Sequence, residues 1–126
     1  MPEEDLDKIV SVRVDGHGAA VIVRIAGEID ALTESTVRKP LFACLAAKPP
    51  AVVIDLEGVT FIGSTGLRLL AQACEQARRD TVAVSIVATT HAVLRLLEIT
   101  GLDGHLPITG SVRDALAGAT ANADAG

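Results

Sequence analysis

Large aromatic residues are nearly absent from this chain: among 126 residues only Phe42 and Phe61 carry phenyl rings, and there is no tryptophan or tyrosine. Single-stranded nucleic acid is held by bases stacked on such rings, and duplex by a basic stripe. Here eleven Lys and Arg are scattered among sixteen Asp and Glu, for a net charge of −5. Nucleic acid is therefore not an expected partner, and an acidic surface is poorly matched to anionic lipid. Cysteine is scarce as well. Cys44 and Cys74 fit no metal-ligand spacing. Cys44 lines up with Val37 and Leu41, and Cys74 with Leu67, Leu70 and Ala77, so both read as buried free thiols, the alternative being a redox pair.

Long apolar runs are missing too. The purest, Ala51 to Ile54, is closed by Asp55 and is far too short to cross a bilayer. The acidic start, Met1 to Lys8, lacks the basic-then-apolar pattern of a signal peptide. Both features point to a soluble, cytosolic chain without membrane insertion. His17, His91 and His105 stand alone, so no metal or cofactor is expected. No glycine-rich loop with a lysine follows a strand, and no nucleophile elbow occurs, which argues against a nucleotide-cleaving or acyl-transfer enzyme.

What is present is aliphatic. With 49% apolar residues, mostly Val, Leu, Ile and Ala, the chain suits one compact domain that buries roughly two thirds of its unfolded surface. The domain is expected over residues 9–118, with 1–8 and 119–126 as flexible ends. Runs Ile9–Val14 and Ala20–Ile25 flank Asp15-Gly16-His17-Gly18 and predict an antiparallel hairpin. After Gly27 a turn is expected, then one helix, kinked at Pro40, to about Ala47, the alternative being a start near Pro40; Thr33 reads as its N-cap, with Leu32 stapled to Val37. Val52–Ile54 predicts a short buried strand, Gly63–Gly66 opens a helix to about Arg79, and Val82–Val87 predicts another strand. A helix from Thr90 to Thr100 stopped by Gly101, a strand at Leu106–Ile108 and a helix capped by Ser111 complete the order. The fold class is α/β: a hairpin, then alternating helices and strands in a mostly parallel mixed sheet of about five strands with about four helices.

The run from Val52 to Leu67, with Gly63-Ser64-Thr65-Gly66 at its end, resembles the central signature of STAS domains, in particular the anti-sigma-factor antagonists. Gly27-Glu28-Ile29-Asp30 is similar to that family's turn after its second strand. Leu94 to Leu102 matches its penultimate helix, and Ser111 to Leu116 its last. The motifs fall in the family's order over roughly Ile9 to Ala117.

The resemblance implies a regulator with no catalysis of its own. Its partner would be an anti-sigma factor that is also a serine/threonine kinase of the GHKL type, and capturing it would release a sigma factor. Phosphorylation of the loop would end the capture, and a phosphatase would restore it. The second hydroxyl of the loop is the implied acceptor, here Thr65, with Ser64 as the alternative. The implied partner surface comprises Asp30, Gly63, Ser64, Thr65, Gly66, Leu67 and Arg68. Many antagonists carry aspartate where this chain has Gly63. A scaffold or accessory subunit of a stress-signalling or transport complex, without phosphoswitching, is the alternative within the same family.

The residues make independent sense of a switch. With Ser64 as N-cap, its oxygen would be occupied by helix amides, and Thr65 at the first helical position would face outward. A phosphate there would lie by unpaired amides at the positive end of the helix. The plainer reading is that Ser64 and Thr65 only start a helix. Asp30 reads equally as a kinase contact or a turn residue, and Asp55 as an acceptor for loop amides.

Overall fold

The computed structural model describes residues 9–104 and 106–125. Strands β1 (Val10–His17) and β2 (Ala20–Ile29) form the expected antiparallel hairpin around Gly18 and Ala19, with His17 opposite Ala20. Helix α1 (Glu34–Ala46) leads to β3 (Ala51–Ile62), α2 (Ser64–Arg79) to β4 (Ala83–Val87), and α3 (His91–Ile99) to β5 (Ile108–Thr109). Helix α4 (Val112–Ala125) ends the described chain and runs on past Gly118. The sheet order follows the sequence, β1-β2-β3-β4-β5, with every pair after the hairpin parallel. This is the mixed five-stranded, four-helix α/β architecture expected. The segment 1–8, His105 and Gly126 lie outside the described residues.

Three strands are longer than the apolar pattern predicts. β1 runs on through Asp15, Gly16 and His17, which the pattern reads as turn, so the turn itself is only Gly18 and Ala19. β2 does not end at Ile25 but continues through Gly27-Glu28-Ile29, so this motif is strand and the turn begins at Asp30. Gly27 looks like a turn residue because its φ is +104°. It occupies an irregular step of the strand, where a Cβ would lie 1.9 Å from the Ile9 carbonyl oxygen.

β3, expected only at Val52–Ile54, runs for twelve residues. Beyond Asp55 its buried positions are Leu56, Val59 and Ile62, at a spacing of three. Register shifts against β2 at Arg24/Ala26 and Gly27/Glu28 break the two-residue period on which strand recognition depends. Its pairing with β4 ends at Asp55, so the stretch from Leu56 to Ile62 continues beside β2 past the last β4 pair.

Helices α1, α2 and α3 cover one face of the sheet. Val37, Leu41, Leu45, Leu70, Ala73 and Leu97 pack there against Val23, Ile25, Val52, Ile54 and Ile86. A fully buried side chain of this size contributes roughly 1.5–3 kcal/mol. Helix α4 covers part of the other face, with Ala115 packed on Ile22, Val53 and Val87. Pro40 lies within α1, which continues past it as one helix. The expected Leu32–Val37 staple does not form: Val37 is fully buried but Leu32 is 71% exposed. Gly101 follows α3 with φ +75°, and Ser111 Oγ accepts from the Asp114 amide at 3.0 Å, both as expected.

Beyond α4 the second face carries charge. Arg13 and Arg24 face one another across β1 and β2, and Asp55 is the partner of Arg24 on β3. Asp55 Oδ2 accepts from Arg24 Nη1 at 3.0 Å and its Oδ1 from the Glu57 amide at 3.0 Å. Asp55 is thus the structural acceptor expected, with an arginine counter-ion added. Asp15 accepts from Arg13 and Arg24, and the Arg13 bond above all holds its carboxyl below the usual range.

The two cysteines are free and only partly buried, short of the full burial their apolar stripes suggest. Burial raises the Cys44 thiol pKa and pushes that of Cys74 up to about 11.

Candidate functional site

The site is the joint between the end of β2 and the start of α2. Ile29 and Ile62 are register partners at the far ends of β2 and β3, and the Gly63 amide donates to the Ile29 carbonyl at 2.9 Å. The turn after β2 and the first turn of α2 therefore adjoin.

The β2–α1 turn is tied down by two side chains. Asp30 Oδ1 accepts from the amides of Leu32 at 2.9 Å and Thr33 at 3.2 Å, an arrangement that aspartate favours in tight turns. Thr33 is fully buried; its hydroxyl donates to the Glu28 carbonyl at 2.8 Å and accepts from the Asp30 amide at 3.0 Å. Thr33 is the N-cap by position, yet its side chain caps no helix amide. The turn role of Asp30 is thus explicit in the geometry.

At α2 the cap differs from expectation. Gly63, with extended backbone (φ −96°, ψ −176°), is the N-cap, so Ser64 is the first helical residue and Thr65 the second. The reason is the β3 extension: the strand carries chain direction through Ile62, and the Ile29 bond to Gly63 fixes the break one residue earlier than the Ser64 hydroxyl suggests. No side chain caps this helix. The Leu67 amide donates to the Gly63 carbonyl at 3.1 Å, which leaves the amides before it without an intrahelical acceptor.

Gly66 explains why the helix starts so close to the sheet. A Cβ there would stand 2.6 Å from Ile62 Cγ1 and 2.9 Å from Ile29 Cγ2, so only glycine lets the first turn press on both. Gly63 is different, because a Cβ there would meet the Phe61 ring at 3.5 Å and the Ile29 carbonyl oxygen at 3.9 Å, both ordinary contacts. The predicted residues therefore divide. Ser64 and Arg68 are exposed, and Gly63, Thr65 and Asp30 are partly so. Gly66 and Leu67 turn inward, Leu67 being 5% exposed in the core.

Two residues at this end were not found from the sequence. Phe61, 48% exposed, lies against Gly63, and Leu32, 71% exposed, stands in the adjoining turn. Their apolar character reads as core in a linear pattern; only the bulged register of β3 turns Phe61 outward. Arg68 has no acidic partner among the described residues.

Among the described residues no three His, Cys, Asp or Glu side chains converge as a metal site would require. No described helix is long and apolar enough to cross a membrane.

The family model for the STAS domain matches residues 11–115. The anti-sigma-F factor antagonist RsfB of Mycobacterium tuberculosis is 33% identical over 109 residues, covering 86% of this chain and 88% of that protein. The crystal structure of an anti-sigma factor antagonist from Mycobacterium paratuberculosis superposes with a TM-score of 0.83 at 35% identity, covering 88% of this chain and 94% of the other. The Bacillus cell-fate determinant SpoIIAA, solved in its phosphorylated form, shares the fold with a TM-score of 0.66 at 13% identity, over 85% of this chain and 97% of that one.

Proposed function

Since this chain belongs to the STAS-domain family, with relatives that are anti-sigma-factor antagonists, we propose that it is itself such an antagonist. It binds an anti-sigma factor through the β2–α1 turn and the start of α2, and so frees a sigma factor. The anti-sigma factor is a serine/threonine kinase of the GHKL type, and it ends its own capture by phosphorylating Thr65, with Ser64 the alternative acceptor. A phosphatase reverses the modification. The chain acts in the cytoplasm and catalyses nothing itself.

The observation that carries the reading is the uncapped first turn of α2, which presents two hydroxyls at a partner-accessible end of the molecule. Phosphate adds a charge of about −1.5 to −2 there. Neighbouring amides and the helix dipole stabilise that charge, so α2 stays folded while the surface gains negative charge. The small Gly63 and the apolar Phe61 and Leu32 give a partner close backbone approach and dry contact on either side.

The direct test incubates the protein with its cognate kinase and ATP and maps the modified residue by mass spectrometry. Phosphate on Thr65 is the expected result. Phosphate on Ser64 moves the acceptor by one residue, and phosphate on neither removes the switch.

A further inference from the structure

The groove between α1 and α2, of about 510 Å³, is lined by Arg38, Phe42, Arg68, Gln72, Glu75 and Arg79 among others. We infer that this groove is a docking site for an acidic segment of a partner protein, one whose carboxylates meet Arg68 and Arg79 and whose apolar side chains lie on Phe42 and Ala71.

The first support is charge. The chain is acidic overall, yet four of its eleven basic residues, Arg38, Arg68, Arg78 and Arg79, gather on or beside this groove. The carboxylates nearby are already committed. Glu34 pairs with Arg38 at 2.5 Å, and Glu75 with Arg78 at 2.7 Å and Arg79 at 3.6 Å. Asp80, beside the groove, accepts from Gln76 Nε2 at 2.8 Å and faces Lys48 at 4.0 Å. Glu34 and Glu75 cannot neutralise four arginines, and Arg68 has no acid of its own among the described residues.

The second support is order. Arg38 Nη2 donates to Gln72 Oε1 at 2.6 Å across the two helices, and its guanidinium stands 5.0 Å above the Phe42 ring. This arginine is held as part of the wall, with the ring face beside it. Arg68 is left at one end as a charge with no acidic partner among the described residues, and Arg79 at the other shares Glu75 with Arg78, at 3.6 Å against 2.7 Å.

The third is alignment. Ser64, Arg68, Gln72 and Gln76 follow one another at four-residue steps on α2, so the groove begins one turn below the hydroxyl loop. A partner that covers the loop and continues along α2 enters it. Arginine forks bind carboxylates bidentately, which gives register as well as attraction.

The test does not require the natural partner or any phosphorylation, so it succeeds or fails separately from the kinase experiment. The probe is a twelve-residue amphipathic peptide with glutamates at four-residue spacing, titrated into isotopically labelled protein and followed by amide chemical shifts. A lysine-for-glutamate version serves as the control. Saturable shifts centred on Arg38–Phe42 and Arg68–Arg79 are expected. They should weaken by ~10-fold in the R68E/R79E variant and fall steeply between 50 mM and 500 mM salt. Spectral dispersion of the variant checks that it remains folded, and the single Arg68→Gln change, which adds no repulsion, should give a smaller loss in the same direction. Absence of saturation, equal binding of the lysine peptide, or shifts centred on Arg13 and Arg24 would each overturn the inference.

Discussion

The Gly63 amide donates to the Ile29 carbonyl at 2.9 Å, and this bond joins the two segments that make up the site. Ile29 ends β2 and Gly63 caps α2, so one main-chain contact sets the loop that bears Ser64 and Thr65 beside the turn that bears Asp30 and Leu32. Everything at this end depends on β2 and β3 reaching the same height.

Gly66 is the residue least able to change. Gly66→Ala should push α2 away from Ile29 and Ile62, with a loss of about 1–3 kcal/mol from overpacking. Urea denaturation followed by circular dichroism measures this directly. A wild-type midpoint would show that the contact is soft.

Gly63 should accept aspartate readily, since its backbone is extended and the nearest obstacle is a ring at 3.5 Å. An aspartate there supplies the missing cap and a negative charge at the positive helix end, worth about 0.5 kcal/mol. Gly63→Asp is expected to raise the thermal midpoint modestly, and a lowered midpoint would mean that α2 needs its cap position bare.

A fixed charge should imitate the modification. Thr65→Asp is expected to weaken capture of the anti-sigma factor by about tenfold, or roughly 1.4 kcal/mol, while Thr65→Ala changes it little. Equal affinities by calorimetry would rule out an electrostatic switch.

Arg24 counters a carboxylate that is only 6% exposed. Arg24→Ala should leave Asp55 with its Glu57 amide bond alone, at a cost of about 1–3 kcal/mol. Replacing both residues, as Arg24→Met with Asp55→Asn, should recover part of the loss. If the double variant is as unstable as the sum of the single changes, the pair is not coupled.

Cys74 carries a pH signature. Its thiol pKa in the fold, about 11 against an ordinary 9.0, favours the neutral form. Stability from this group is therefore complete below pH 9 and declines as pH rises toward 11, by on the order of 2 kcal/mol. At pH 8 a thiol reagent should label Cys74 slowly in the native protein and rapidly in urea; Cys74→Ala should flatten the alkaline decline. Rapid native labelling at Cys74 would contradict this environment.

The order of elements, the hairpin, the parallel crossovers and the family are legible in the amino-acid order alone. Those depend on local signals: apolar periodicity, caps such as Ser111, and motifs read in succession. The loop from Gly63 to Gly66 is legible there as well, because glycine and hydroxyl residues before an amphipathic helix form a short-range pattern. Tertiary structure decided the rest. The irregular pairing of β2 with β3 turned Leu56, Val59 and Ile62 inward at a three-residue spacing and left Phe61 outside, which no strand period encodes. The same pairing moved the α2 cap from Ser64 to Gly63. Arg24 against Asp55, and Arg38 reaching Gln72, are contacts between residues more than thirty positions apart. Their geometry exists only after the sheet and helices have packed, since side chains that distant in sequence acquire a fixed separation only through the fold.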